Sequence, residues 1–206
     1  MTFLPTLFRR AAPVLLFGLA VAPVGAAVEN ADPSKAPAGT YTMDTSHTNV
    51  AGRINHLGFS ATTITFPKIS GSLTWNPAKP EAATLDVTMD TTGLYSGWEA
   101  RDAHLKGEQF FNVAKFPTIT YKASSLTKLT DTTARVDGTL TMLGVSKAVP
   151  MTVTFVAGGK GMMGDTRIGL TGKASLKRSD FGMKAFLPAV GDDVDIAIDT
   201  EFGMKP

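Results

Sequence analysis

The chain has 206 residues, no cysteine, and 20 Lys+Arg against 18 Asp+Glu. The missing cysteine excludes disulfides, thiol catalysis, zinc–thiolate sites and iron–sulfur clusters. Residues 1–27 hold two of the arginines and no acid; the other 18 basic and 18 acidic residues balance, so charge gives no support for a nucleic-acid partner.

Arg9 and Arg10 precede the apolar run "AAPVLLFGLAVAPVGAA", which ends in Gly25, Ala26 and Ala27. A charged start, an apolar middle and a small-residue end predict a secretory signal peptide over residues 1–27. A membrane anchor is the competing reading, but the run is short for a span and contains Pro13 and Pro23. Residues 28–39, "VENADPSKAPAG", read as a flexible leader, and residues 40–206 as one domain.

From Thr40 a period of two dominates. Leu85, Val87 and Met89 alternate with Asp86, Thr88 and Asp90. Trp98 to Lys106 is the single helical stretch, with Gly107 placed to end it. Val136, Gly138, Leu140 and Met142 alternate with Arg135, Asp137, Thr139 and Thr141. Val149, Met151, Val153 and Phe155 follow, then Ile168, Leu170 and Gly172, and finally Val194, Ile196, Ile198 and Phe202 set against Asp193, Asp195, Asp199 and Glu201. Successive strand side chains point to opposite faces, so each run is a strand with one apolar and one polar face. Turns are expected at "NPAKPE", "LTDTT", "LGVSK" and "AGGKGMMG". The expected fold is all-β: about eight antiparallel strands closed into a barrel, with one short helical segment near its mouth.

Alternation does not say which face points inward. An outer-membrane barrel would turn its apolar face to lipid, but would carry aromatic girdles at its strand ends. Here the aromatic residues gather between Trp98 and Phe116, which favours an apolar interior. Eight strands enclose either a filled core or a cavity for one small ligand. Gly138, Gly172 and Ala174 leave room, or accommodate bends.

The polar candidates are Asp44 and His47 in "DTSH", His56 in "NHLGFS", and Arg101, Asp102 and His104 in "RDAHL". Three histidines with a carboxylate could bind zinc, and an Asp–His pair could do acid–base chemistry. The spacing matches no metal pattern, and no nucleophile or phosphate-loop motif accompanies it. The structural alternative is a hydrogen-bonded plug at the barrel mouth, with Leu105, Phe110, Phe111 and Phe116 packed on the open end and Arg101 or Arg178 paired with Asp102, Asp180 or Asp44. "RSDFGMKAF" contains Asp180-Phe181-Gly182, the magnesium triplet of protein kinases, but no glycine-rich loop, strand lysine or H-R-D loop precedes it.

Five segments in order resemble the YceI family of polyisoprenoid-binding periplasmic proteins: "YTMDTSHTNV", "HLGF", "RDAHLKGEQFFNVAKFPTITY", "GTLTMLGVSKAVPMTV" and "RSDFGM". The resemblance runs from about Tyr41 to Phe202. Thr48, Thr65 and Gly107 depart from the usual pattern. The resemblance implies a lipocalin-like barrel in the periplasm, a homodimer with transient membrane contact, and a lumen that holds a quinone or polyprenyl tail. The lining would be Leu85, Val87, Met89, Ile119, Tyr121, Val136, Leu140, Met142, Met151, Val153, Phe155, Ile168, Leu170, Ile196 and Ile198. Asp44, His47, His56, Arg101, Asp102, His104, Arg178 and Asp180 would form a head-group or structural cluster at the mouth. No metal, cofactor or enzyme activity is expected; the alternative is a hydrolase or metal enzyme built on that cluster.

Overall fold

The alternating segments pair through their backbones into one antiparallel sheet that closes on itself. The structure, a computed structural model, describes residues 30–205. Ten strands form among them: β1 (Gly39–His56), β2 (Ser60–Thr65), β3 (Ile69–Trp75), β4 (Thr84–Asp90), β5 (Thr118–Lys128), β6 (Thr133–Met142), β7 (Val145–Ala148), β8 (Met151–Lys160), β9 (Thr166–Lys177) and β10 (Val190–Met204). The order β10-β9-β8-β6-β5-β4-β3-β1 is closed by β10 pairing back onto β1, which gives an eight-stranded barrel. β2 extends the far half of β1 and β7 pairs the end of β6. Closure leaves no long unpaired edge to template aggregation.

The apolar face of each strand points inward. Its polar face carries cross-strand ion pairs on the outer wall, such as Lys177–Asp193 at 2.9 Å and Lys122–Asp86 at 3.7 Å. β1 is 18 residues long and serves two neighbours in turn, β3 through Gly39–Thr42 and β2 through Ala51–His56. Between Asp44 and Asn49 its register against β10 slips, so residues 45–48 face Thr200 alone.

The strand directions define two ends. The leader end holds residues 30–38 and the turns at 76–83, 129–132 and 161–165. The helix end holds the β1–β2 turn, helix α1 (Glu99–Lys106) and the segment joining β9 to β10. Trp98 is the N-cap of α1 and Gly107 its C-cap, but Gly107 has φ −72°, an extended backbone rather than the left-handed one anticipated for a helix-ending glycine. Leu105, Phe110 and Phe111 are buried below the helix, with Phe111 edge-on to Phe66 at 5.6 Å.

Two expectations need correction. Residues 30–38 of the expected flexible leader are folded onto the barrel. Pro33–Lys35 form a 3-10 turn capped by Asp32, the Gly158 amide donates to the Asn30 carbonyl at 2.9 Å, and the Tyr41 hydroxyl donates to the Pro37 carbonyl at 2.7 Å. The glycines of "AGGKGMMG" continue β8 to Lys160, so the turn spans only Gly161–Asp165. The expected signal peptide lies outside the described residues.

Candidate functional site

The barrel interior holds two adjoining cavities of about 790 and 720 Å³. Val50, Met89, Leu140, Leu176 and Ile196 belong to the walls of both and form a waist between them. β10 lines the helix-end cavity from Val190 and the leader-end cavity as far as Phe202. Twelve steps at ~3.4 Å along a strand tilted by ~40° give a lumen roughly 30 Å long.

All fifteen residues expected on the lining lie in these walls. Leu85, Val87, Tyr121, Val136, Met151, Val153, Phe155, Ile168, Leu170 and Ile198 face the leader-end cavity. Ile119 and Met142 face the helix-end cavity, while Met89, Leu140 and Ile196 face both. Gly172 and Ala174 are in the wall, whereas Gly138 instead makes room for the Tyr121 ring. Tyr121 donates to the Val149 carbonyl at 3.1 Å, and burial pushes its phenol up to about 12.

The eight polar residues expected as one mouth cluster are divided. His56, Arg101, His104 and Arg178 contribute to the wall of the helix-end cavity. Asp44 and His47 do not; they sit at the register slip of β1, on the outer wall. His47 and His56 are nine residues apart on one strand, which separates them by roughly 25 Å. Extended backbone therefore forbids the single cluster.

At the helix end Ser96 is the hub that sequence reasoning missed. Asp102 accepts from the Ser96 amide at 2.8 Å and from its hydroxyl. Arg101 donates through Nε to Ser96 Oγ at 2.9 Å and through Nη2 to the Ser96 carbonyl at 2.5 Å. Arg101 and Asp102 thus meet through Ser96, not directly. His104 packs edge-on to Phe110 at 5.0 Å and Phe186 at 5.8 Å, and among the described residues no metal-like grouping includes it.

Arg178 also departs from the expected ion pair. Its side chain is 3% exposed and donates to four carbonyls: Gly191 at 2.7 Å, Met183 at 3.1 Å, Ala185 at 2.9 Å and Val190 at 2.9 Å. Burial draws its pKa below the ordinary value, and nearby Asp192 opposes that. Asp192 itself accepts from the Ser179 amide and hydroxyl. Asp180 is exposed and takes no part in this tether. The kinase-like triplet is thus a 3-10 turn, Arg178–Phe181, followed by left-handed Gly182 at φ 89°.

On the outer wall Asp44 accepts from Ser46 Oγ at 2.6 Å, His47 Nδ1 at 2.9 Å and Arg167 Nη1 at 2.7 Å. Those bonds, the Ser46 hydroxyl foremost, hold its carboxyl well below the usual range. Arg167 also donates to Glu201 at 2.6 Å and Asp165 at 2.9 Å, and Asp44 and Glu201 raise its pKa. Ligand atoms of Asp44, His47 and Glu201 lie within 4.8 Å of one another, a spacing a metal could use. Arg167 occupies both carboxylates, so the chemistry of this group is that of an ion pair. Arg167 and Glu201 are outward residues of neighbouring strands near one rung, a relation visible only once the register is known.

The YceI-like domain model matches residues 41–202. A UPF0312 protein of Azotobacter vinelandii is 34% identical over 185 residues, covering 89% of this chain and 95% of its own. Among solved structures, a Campylobacter jejuni YCEI protein superimposes with TM-score 0.66 at 29% identity, covering 74% of this chain and 90% of that one. A polyisoprenoid binding domain from Saccharophagus degradans, implicated in plant cell wall breakdown, shares the fold with TM-score 0.64 at 16% identity, covering 81% and 98%.

Proposed function

Because this chain belongs to the YceI-like domain family, we propose that its barrel is a periplasmic carrier that holds the long apolar tail of a quinone or polyprenyl lipid in the lumen. The observation that carries the reading is a lumen roughly 30 Å long, walled along its middle by aliphatic and aromatic side chains, with polar residues at both ends and the histidines and Arg101 at the helix end. A long unbranched path suits an extended tail, and His56, Arg101 and His104 sit where a polar head group would emerge. The likeness to a polyisoprenoid binding domain supports the same ligand class.

Energetics favour carriage over trapping. Each methylene withdrawn from water gains ~0.8 kcal/mol, and a bilayer offers much the same. Transfer from membrane to barrel is then nearly neutral, so the tail can be taken up and released. Export rests on the pattern of residues 1–27, which N-terminal sequencing of the periplasmic protein tests: a chain still beginning at Met1 would refute it. The alternative, a hydrolase or metal enzyme, is the weaker reading because the carboxylates it would use are already taken up, Asp102 by Ser96 at the helix end and Asp44 by Ser46 and Arg167 on the outer wall.

Trp98 lines the helix-end cavity, beside the residues where the head group would emerge, which allows a direct test. Delipidated Trp75→Phe protein keeps Trp98 as its one tryptophan. Long-tailed quinones should quench Trp98 saturably, and a quinone without a tail should not. Equal quenching by both, or none, would overturn the reading.

A further inference from the structure

Four large apolar side chains stand out from the helix end. Leu57 and Phe59 flank the tip of the β1–β2 turn, Trp98 caps α1, and Phe186 lies between β9 and β10; they are 53%, 90%, 62% and 54% exposed. Trp98 and Phe186 also belong to the wall of the helix-end cavity, so this rim is continuous with the lumen. Leu57 and Phe186 hold left-handed backbone, φ 56° and 61°. Asn or Gly adopts that conformation at less cost, and Asn-Gly is the favoured pair where Leu57-Gly58 stands. Folding therefore gives no reason for an apolar side chain at Leu57, and Phe186, though stacked on Phe110 at 6.0 Å, leaves half of its surface open. A contiguous exposed apolar rim marks an interaction site.

Charge distinguishes the two ends. Residues 53–60, 95–107 and 178–190 carry, besides the buried Arg178, four Arg or Lys and three Asp or Glu. At the leader end, residues 30–38, 76–83, 129–132 and 161–165 carry two Lys and four Asp or Glu. Met162 and Met163 are exposed there too, but on the acidic end. The helix end alone combines exposed apolar rings with a basic excess. Trp98 lies under the Arg101 guanidinium, 5.9 Å from the ring centroid, an amphipathic pair of the kind that sits at the head-group level of a bilayer.

We propose that the helix-end rim is a docking surface for an anionic bilayer, with Leu57, Phe59, Trp98 and Phe186 entering the interface and Arg53, Lys106 and Lys184 facing the head groups. Docked this way, the helix-end cavity opens against the membrane, and a tail would pass from bilayer to lumen without crossing water. The surface goes beyond the carrier reading, because an empty barrel carries the same rim.

The test is flotation of delipidated protein with vesicles of mixed phosphatidylglycerol and phosphatidylcholine, against vesicles of phosphatidylcholine alone. Wild type should float with the anionic vesicles, and less well at high salt. In Trp75→Phe protein, emission from Trp98 should shift to the blue on vesicle binding. Leu57→Asn/Phe59→Ser should lose roughly tenfold or more in affinity with unchanged melting, since Asn suits the left-handed turn. Lys184→Glu should weaken binding to anionic vesicles only. Wild type that fails to float, or a double variant that floats as well, would overturn the proposal. So would a wild-type dimer that the double variant breaks while Trp98 ignores vesicles, because the rim would then join two copies of this chain. Lipid retained in the lumen is measured separately: its loss from wild type would count against the carrier reading and leave docking intact.

Discussion

Gly138 and the Tyr121 ring on neighbouring strands share one space inside the barrel: a Cβ on Gly138 would overlap the Tyr121 hydroxyl and come within 2.8 Å of the Lys122 carbonyl. Gly138→Ala should therefore destabilise the barrel by ~1–3 kcal/mol through overpacking. Thermal melting checks it, and pairing the change with Tyr121→Leu should recover only part of the loss, because the clash with the Lys122 carbonyl remains.

The same tyrosine gives a pH signature. Its pKa rises on folding from 10.0 to about 12, so the neutral phenol is the form that the fold favours. Stability should hold up to about pH 10 and fall as pH climbs toward 12. Tyr121→Phe should abolish this alkaline component while lowering stability at neutral pH by ~1–2 kcal/mol, because the Val149 carbonyl loses its donor.

Arg178 ties the segment between β9 and β10 to the barrel through four carbonyls. Arg178→Ala leaves those acceptors unpaired and should cost ~3 kcal/mol or more. Arg178→Lys cannot span all four and should recover only part. Hydrogen exchange should report the loss first at Val190 and Gly191.

The inward faces were legible in the sequence because a period of two admits one geometry, and each lining residue from Leu85 to Ile198 falls on it. The early strands were less visible: β1 mixes small, polar and apolar residues, and its register slip at residues 45–48 breaks the alternation. The polar cluster was misread for a different reason. Proximity in the motif "DTSH…NHLGF" suggests proximity in space, but β1 is extended and carries His47 and His56 to separate places. Ser96, Arg167 and Asp192 act through partners across loops or strands, and no local spacing marks them.

Asp44 should confer acid-sensitive stability. Its carboxyl is depressed below 3.8, so its contribution is complete above that pH and is lost as pH falls below it. Asp44→Asn should lower the melting temperature at pH 7, with the gap to wild type closing only under strongly acidic conditions. A gap that closes near neutrality would contradict the Arg167–Asp44 assignment. Dialysis against zinc should raise neither protein's melting temperature.

Ser96, Arg101 and Asp102 form one unit at the start of α1. Ser96→Ala and Asp102→Asn should each lower stability by ~1–3 kcal/mol, and the double variant should fall well short of their sum. Additive losses would mean that the two side chains act independently.

The central claim is that the lumen is space for a lipid tail and not a packed core. Val153 lies in the wall of the leader-end cavity, opposite small neighbours, Ala134 on β6 and Gly172 on β9. Val153→Trp would fill that cavity without crowding the ladder. The decisive measurement is isoprenoid lipid per protein in an organic extract of native material, wild type against Val153→Trp, with melting of the delipidated forms alongside because bound lipid raises apparent stability. The expected result is lipid in wild type, sharply less in the variant, and similar melting of the two empty proteins. A variant that unfolds, from a wild type that never carries lipid, would contradict it.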